Sequence, residues 1–234
     1  TAAANTAVPG WPEQPKKWMP PPVPAPDATN FPPPPDVRAA DWDSLRQACL
    51  ACRSCGLCAT RHNVVVEDGC RFAPLMFIGE GPGADEDAQG VPFVGKAGQL
   101  LTRMIAAMGR NRASADPATA VYIANIVKCL PPRNRVPTLD EARACMGYLH
   151  RQIALVRPKV IVLLGNTAMK FMTGHSGIVN ARGKWLEVQG IPAMPTFHPS
   201  YVIRLEQDPQ QFRAVKLQVW QDLQEVMRKL VENQ

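Results

Sequence analysis

Residues 75–98 read LMFIGEGPGADEDAQGVPFVGKAG, and this segment decides the fold. The apolar run at 75–78 is typical of a buried strand in a parallel sheet. It stops at GEGPG (79–83), where three glycines and a proline permit a sharp turn and a close backbone approach to a ligand. Lys96 then begins an amphipathic helix. A strand, a glycine loop and a helix in this order build a ligand site at the carboxyl edge of an α/β sheet.

The glycine loop matches neither of the common phosphate-binding motifs. A P-loop ends in Gly-Lys-Ser or Gly-Lys-Thr, and the dinucleotide pattern needs a third glycine at a wider offset than 79–83 provides. Four acidic residues at positions 80 and 85–87 also disfavour a phosphate ligand. Two interpretations remain at this point, a structural turn or a site for another kind of ligand.

The composition allows one domain with a sizeable core plus a tail, in a chain of 234 residues. Half of the 24 prolines lie in residues 1–40, which we expect to form an extended, disordered tail before a single domain at 41–234. No apolar run is long enough to span a bilayer and no signal segment is recognisable, so we expect a soluble intracellular protein. The net charge of +6 is compatible with a polyanionic partner without identifying one.

Four of the seven cysteines fall into ten residues, as Cys49, Cys52, Cys55 and Cys58. This spacing predicts a zinc or iron–sulfur site. Either these four bind together, or some of them combine with Cys129 and Cys145 further along the chain. Cys70 has no partner at ligand spacing, and we interpret it as a spare thiol.

The order of elements predicts an α/β fold, a three-layer α/β/α sandwich with a central, mainly four-stranded parallel sheet. Its strands are predicted at 75–78, 121–128, 159–164 and 191–197, with helices between them. The carboxyl ends of parallel strands meet at one edge, so Glu80, Asn125 and His198 should lie close together. This convergence favours a ligand site over a structural turn.

The predicted edge has the chemistry to recognise a nucleobase. Asn125 offers both a donor and an acceptor, Phe93 can stack on a flat ring, and His198 can hydrogen-bond to a developing anion. The surrounding loops carry side chains suited to phosphates, namely Arg133, Arg135, Arg182, Lys184 and Arg204.

Taken together, the motifs closely resemble the family 4 uracil-DNA glycosylases, the bacterial and archaeal iron–sulfur branch of the uracil-DNA glycosylase superfamily. The resemblance covers the chain from about Cys52 to the C-terminus and leaves the proline-rich segment out. It rests on GEGPGADED (79–87), PFVGKAGQLL (92–101), NIVKC with PPRNR (125–135), the step from Cys129 to Cys145, RGKW (182–185) and HPSYVIR (198–204).

The family pattern implies that Cys52, Cys55, Cys129 and Cys145 hold a 4Fe-4S cluster with a structural role, and that Cys49 and Cys58 do not bind it. It also implies a DNA-repair enzyme that flips deoxyuridine out of single- or double-stranded DNA and hydrolyses its N-glycosidic bond. Such an enzyme would be a monomer of the bacterial cytoplasm, associated with the nucleoid when on DNA. The N-terminal tail is then a candidate contact for a replication or repair partner.

Several site residues take roles from the same resemblance. Asn125 would read the N3 and O4 edge of uracil, Phe93 would stack on it, and His198 would stabilise negative charge on O2. The cradle for the base would include Gly81 and Gly83. Gly81 stands where the best-known branch has an aspartate, which excludes a catalytic base there. Glu80 and Glu86 are both candidates to orient the attacking water. Alternatively, Glu86 would exclude thymine by blocking its C5 methyl group. The predicted loop 198–204, with Ser200 and Tyr201, would enter the gap left by the flipped base.

Three alternatives are open on the sequence. A covalent uracil-trapping relative is disfavoured because residues 130–144 contain no histidine and no insertion. A non-catalytic iron–sulfur module for DNA binding or electron transfer is motivated by the cysteine run at 49–58. A glycosylase with broader substrates, such as hypoxanthine or mismatched thymine, would use the same residues.

Overall fold

A computed structural model describes residues 31–232 and confirms the predicted alternation of strands and helices. The helices are α1 (Trp42–Leu50), α2 (Ala84–Gln89), α3 (Lys96–Ala107), α4 (Leu139–Val156), α5 (Gly165–Thr173), α6 (Ile178–Ala181), α7 (Pro199–Arg204) and α8 (Pro209–Glu232). The strands are β1 (Asp68–Gly69), β2 (Leu75–Gly79), β3 (Tyr122–Asn125), β4 (Val160–Leu164), β5 (Leu186–Val188) and β6 (Ile191–Thr196).

One six-stranded sheet runs through the domain in the order β1-β3-β2-β4-β6-β5. The four central strands are parallel, and the short edge strands β1 and β5 pair antiparallel. This confirms the predicted, mainly four-stranded parallel sheet. The register places Gly79 beside Asn125 and Leu164 beside Thr196, so the loops that follow these strands leave from the same edge.

Both faces of the sheet are covered by helices, which explains why its strands are apolar at successive positions. Met76 and Ile78 pack on one face with α1, α4 and α5. Leu75 and Phe77 pack on the other face with α3, α7 and α8. The three layers of the predicted sandwich are therefore present.

One predicted loop is helical in the structure. Residues 198–204, predicted as a loop, form helix α7, because Pro199 suits a first helical position and the His198 side chain accepts a hydrogen bond from the Ser200 N–H at 3.1 Å. The acidic residues that follow the glycine loop lie in the first turn of helix α2, where they suit the helix dipole.

The N-terminal boundary at residue 40 stays a prediction, because residues 1–30 lie outside the described residues. Val37, at 5% exposure, packs in the core, and Arg151 Nε donates to the Ala40 carbonyl at 2.5 Å. The packed core therefore includes residues on the N-terminal side of that boundary. Across residues 31–232, no helix has the length and apolar character needed to cross a membrane.

Candidate functional site

The loops after β2 and β3 run side by side at the carboxyl edge of the sheet. The Ile126 N–H donates to the Gly79 carbonyl at 2.9 Å, and the Val127 N–H donates to the Glu80 carbonyl at 3.2 Å. Gly81 lies against Val127, whose Cγ2 would be 2.7 Å from a Cβ atom at position 81. This contact explains why a carboxylate side chain at position 81 has no room without a shift of Val127.

Asn125 is buried at the centre of this edge, with 1% of its surface exposed. Its Oδ1 has no hydrogen-bond partner within the described part of the chain. A buried amide oxygen without a partner is costly, so its presence points to a ligand that donates a hydrogen bond. A Cβ atom at Gly79 would lie 2.5 Å from this oxygen and 2.5 Å from the Phe93 ring, so only glycine lets both groups pack this closely against the backbone at position 79.

Phe93 supplies a flat apolar ring to the same space. Its ring centroid lies 5.7 Å from that of His198, with the planes tilted by 32°. Its backbone has a φ of +56°, which is rare for a bulky residue. Gly98 makes this possible, because a Cβ atom there would lie 1.8 Å from the Phe93 carbonyl oxygen.

His198 faces Phe93 as a neutral ring with a defined tautomer. Its Nδ1 accepts a hydrogen bond from the Ser200 N–H at 3.1 Å, and a backbone N–H can only donate, so the ring proton lies on Nε2. Burial, together with the Arg204 guanidinium, lowers the pKa of His198 from 6.5 to about 4. The ring therefore offers an uncharged N–H donor at neutral pH.

The two glutamates of the glycine loop have different surroundings. Glu80 Oε2 accepts a hydrogen bond from the Thr167 hydroxyl at 2.5 Å. Glu86 accepts three backbone N–H bonds, from Gly83 at 3.0 Å, Val94 at 2.9 Å and Gly95 at 3.0 Å. Glu86 therefore ties α2 to the loop that follows Phe93, while Glu80 lies beside α5.

Two of the arginines predicted to hold phosphates have acidic partners in the protein. Arg182 donates to both oxygens of the Asp222 carboxylate, which is 1% exposed, with its Nε at 3.0 Å. Arg135 forms two hydrogen bonds to Glu141, at 2.8 and 2.6 Å. Phosphate contacts of these two arginines stay predictions, since such contacts would have to share or break the ion pairs.

The other residues predicted to contact DNA lie on the surface or on helix α7. Arg133 and Lys184 are exposed, and each lies in a connection between elements. On α7, the Arg204 guanidinium lies 5.8 Å from the Tyr201 ring centroid, and the Ser200 hydroxyl lies 2.8 Å from His198 Nδ1. Helix α7 thus carries polar and aromatic groups directly beside the pocket.

Six cysteines line a single cavity: Cys49, Cys52, Cys55, Cys58, Cys129 and Cys145. Val127 lines this cavity and also contacts the glycine loop, so the cavity adjoins the loops at the carboxyl edge of the sheet. Both ligand sets left open by the sequence therefore meet at the same place. Within residues 31–232, no three potential ligands are arranged around a single metal ion.

The donor set of the cavity, six cysteines, fits an iron–sulfur cluster, which takes four cysteine ligands. Cysteines around a cluster bind different irons, so they stand further apart than the ligands of one ion. Arg61 lies beside them, donating to the Cys129 sulfur at 3.2 Å and to the Cys52 carbonyl at 2.7 Å. Burial raises the pKa of the Cys129 thiol, and Arg61 opposes that rise. A cation is thus in place to stabilise bound thiolates.

Sequence reasoning missed three residues that support the site. Thr167 holds Glu80, Arg61 contacts the cysteine cavity, and Arg112 donates to the Phe93 carbonyl at 2.7 Å. Each acts across a long separation in the chain, and none belongs to a local motif. The sequence offered only an indirect indication of these three residues, because each is a polar residue close in sequence to a predicted strand, loop or ligand segment.

The fold and the site define a class of protein, an α/β protein with a buried, unpartnered amide oxygen at its carboxyl edge and a cysteine cavity beside it. A family model described as Uracil DNA glycosylase superfamily matches residues 66–224. The chain therefore belongs to the uracil-DNA glycosylase superfamily, within its type-4 branch.

Three similar proteins are named type-4 uracil-DNA glycosylases. The one from Thermotoga maritima is 44% identical over 156 residues, covering 65% of this chain and 78% of the relative. The one from Archaeoglobus fulgidus is 39% identical over 170 residues, covering 69% and 82%. The one from Sulfurisphaera tokodaii is 40% identical over 168 residues, covering 68% and 74%.

Proposed function

We propose that this protein excises uracil from DNA by hydrolysing the N-glycosidic bond, which releases free uracil and leaves an abasic site. The observation that carries the proposal is the unpartnered Oδ1 of buried Asn125, placed beside Phe93 and the neutral ring of His198. A base reaches such a pocket only after it has rotated out of the helical stack.

Base recognition is assigned to Asn125. Uracil presents an N3–H donor and an O4 acceptor, which match the Oδ1 and the amino group of one carboxamide. Cytosine carries an unprotonated N3 and an amino group at C4, so both contacts would be repulsive or unpaired. Because Oδ1 has no partner within residues 31–232, pairing with N3–H removes its desolvation cost.

We assign the acceleration of bond cleavage to stabilisation of the departing uracil anion. The C1′–N1 bond breaks with its electron pair passing to the uracil ring, and the sugar passes through an oxocarbenium-like state. The Nε2–H of His198 donates to O2 as charge develops there, together with backbone N–H groups of the Glu80-Gly81 loop. Because the lowered pKa of His198 leaves the ring neutral, its Nε2–H is a very weak acid and donates this bond without transferring its proton.

Water addition completes the reaction, and Glu80 is proposed to orient the water. Water adds to C1′ and loses a proton to solvent or to the leaving uracil anion. Thr167 fixes one oxygen of the Glu80 carboxylate, and within residues 31–232 no hydrogen bond involves the other oxygen. Glu86 is proposed as a positioning residue, since its oxygens already accept three backbone bonds.

DNA is held by the groups around the pocket. We assign backbone contacts to Arg133, Lys184 and Arg204, and entry into the gap left by the flipped base to α7 with Ser200 and Tyr201. Arg135 and Arg182 are weaker candidates for phosphate contacts, because they already form ion pairs with Glu141 and Asp222.

Four cysteines, Cys52, Cys55, Cys129 and Cys145, are proposed to hold a 4Fe-4S cluster. These residues would join the segment after α1, the connection after β3 and α4 through the bound cluster, which would have a structural role and no part in bond cleavage. This cross-link would fix Val127 and, through it, the glycine loop.

The setting of the enzyme follows from the same proposal. It acts as a monomer on single- or double-stranded uracil-containing DNA in the bacterial cytoplasm, associated with the nucleoid when bound to DNA. Its proline-rich N-terminal segment, before a catalytic domain at 41–234, is a contact for a replication or repair protein. Gel filtration of the full chain and pull-down with the N-terminal segment deleted test these points.

The test of activity is incubation of the protein with a uracil-containing oligonucleotide, followed by alkali. Strand cleavage at the uracil position is expected for the native protein, with none on matched cytosine and thymine oligonucleotides. Asn125→Ala should slow the cleavage at least about tenfold while keeping the native melting temperature. An inactive native protein that binds the oligonucleotide and holds its cluster would instead support a non-catalytic DNA-binding module.

A further inference from the structure

Arg112 lies in the loop between α3 and β3, and its guanidinium connects three parts of the domain. It donates to the Phe93 carbonyl at 2.7 Å and to the Pro92 carbonyl at 2.8 Å. It also donates to the Thr102 hydroxyl on α3 at 3.1 Å and, through Nε, to the Asp68 carboxylate on β1 at 2.8 Å. Its side chain is only 16% exposed.

The backbone of Phe93 needs such support. Its φ of +56° is a conformation that a bulky residue keeps only when the surrounding structure holds it. Gly98 merely leaves room for the Phe93 carbonyl, whereas Arg112 provides the attractive contacts on that carbonyl and its neighbour. The guanidinium fork suits this task because it offers five N–H donors in a fixed plane.

We infer that Arg112 is the positioning residue of the base-stacking surface, and that Asp68 orients Arg112 for this role. The inference rests on the proposed function, since it concerns how the flipped uracil is held. Arg112 contacts the backbone of Phe93, not the substrate, so its effect on the reaction passes through the Phe93 ring.

The expected consequence is a loss of rate without an equal loss of DNA affinity. Affinity for DNA comes mainly from phosphate contacts, which Arg112 does not make in this arrangement. The Phe93 ring acts on the flipped base, whose placement against Asn125 and His198 determines how often cleavage succeeds. A displacement of about 1 Å at a reacting centre can cost about 100-fold in rate.

The experiment is a double-mutant cycle with Arg112→Ala and Phe93→Ala, measured as single-turnover uracil excision and as oligonucleotide binding. Arg112→Ala should lower the excision rate about 100-fold and change the binding constant less than about threefold. The double variant should be no slower than Phe93→Ala alone, because the two residues act as one unit. The excision rate of Arg112→Lys should lie between those of the native protein and Arg112→Ala, since one ammonium nitrogen cannot make all the contacts of a guanidinium.

Arg46→Ala is the matched control, because Arg46 also pairs with a carboxylate, Glu67 at 2.9 Å, and plays no part in the site. It should keep the native rate. The inference is overturned if Arg112→Ala or Arg112→Lys keeps the native rate, or if the Arg112→Ala and Phe93→Ala losses multiply in the double variant. If Arg112→Ala does not fold, Arg112→Lys decides in its place.

A structural readout separates this inference from the proposed function. The Phe93 Cα chemical shift, or a crystal structure of Arg112→Ala, reports the φ of Phe93 whether or not the native protein excises uracil. A native protein inactive on uracil would contradict the proposed function alone. An unchanged Phe93 φ in Arg112→Ala would contradict the inference alone.

Discussion

Replacing His198 by alanine tests the assignment of the anion-stabilising donor. The change removes the Nε2–H that is proposed to donate to O2 of the departing uracil. Loss of one preorganised donor to a developing anion costs about 100- to 1,000-fold in kcat, or about 3 to 4 kcal/mol. Binding of DNA should change little, because the donor bond strengthens only as charge develops.

The pH dependence follows from the pKa of His198, which burial and Arg204 lower from 6.5 to about 4. The excision rate should therefore show no histidine step between pH 5 and pH 8. In the same protein, the unfolded state takes up a proton near pH 6.5 and the folded state near pH 4. The free energy of unfolding should therefore decrease by up to roughly 3 kcal/mol as the pH drops from 6.5 to 4. The His198→Ala variant should not show this contribution to the decrease.

Single-turnover excision across this pH range measures the first effect, and chemical denaturation of the native protein and His198→Ala measures the second. Nitrogen-15 spectra of the His198 ring should show a neutral ring protonated on Nε2 at pH 6. A native rate that falls with a midpoint near pH 6.5, together with the titration of this ring, would refute the reasoning. So would a His198→Ala rate within a fewfold of native.

Three further variants address the rest of the site. Gly98→Ala places a Cβ 1.8 Å from the Phe93 carbonyl oxygen, so it should cost about 2 kcal/mol or more of stability in denaturant titrations. Thr167→Val keeps the shape of the side chain but removes the donor to Glu80, which should lower kcat about tenfold. Cys145→Ser removes a proposed cluster ligand, so it should lose the visible absorption of the cluster and most of its iron.

Two of these variants have a matched control that can contradict the reasoning. Thr167→Ser keeps the hydroxyl and should restore the rate, and an equal loss in both variants would point to packing. Cys58→Ser should keep the iron if Cys58 is a bystander. Iron loss with Cys58→Ser but not with Cys145→Ser would reverse the proposed ligand set.

The central strands were predictable because their pattern is local. A run such as 75–78 is apolar at every position, and such runs are buried on both faces in parallel sheets. Once the strands are parallel, their carboxyl ends must share an edge, and this rule alone places Asn125 and His198 at the same edge of the sheet. A polar residue at the end of a buried strand was the signal that predicted the candidate site.

The supporting contacts were not predictable because they depend on groups distant in the chain. Arg112 reaches Phe93 and Asp68 across 19 and 44 positions, and no local pattern marks either contact. The same limit applies to Arg182, whose basic character predicted a phosphate partner while its carboxylate partner lies 40 positions away. Helix α7 was missed because histidine is not among the usual capping residues.

The most direct test of the central claim pairs a change in the base with a change in Asn125. Release of free base is measured from oligonucleotides that carry uracil or N3-methyluracil, for the native protein and Asn125→Ala. The account predicts that the native protein releases uracil and loses at least about tenfold in rate on N3-methyluracil, while Asn125→Ala treats the two bases alike. A native protein that releases both bases equally, or releases neither, would contradict it.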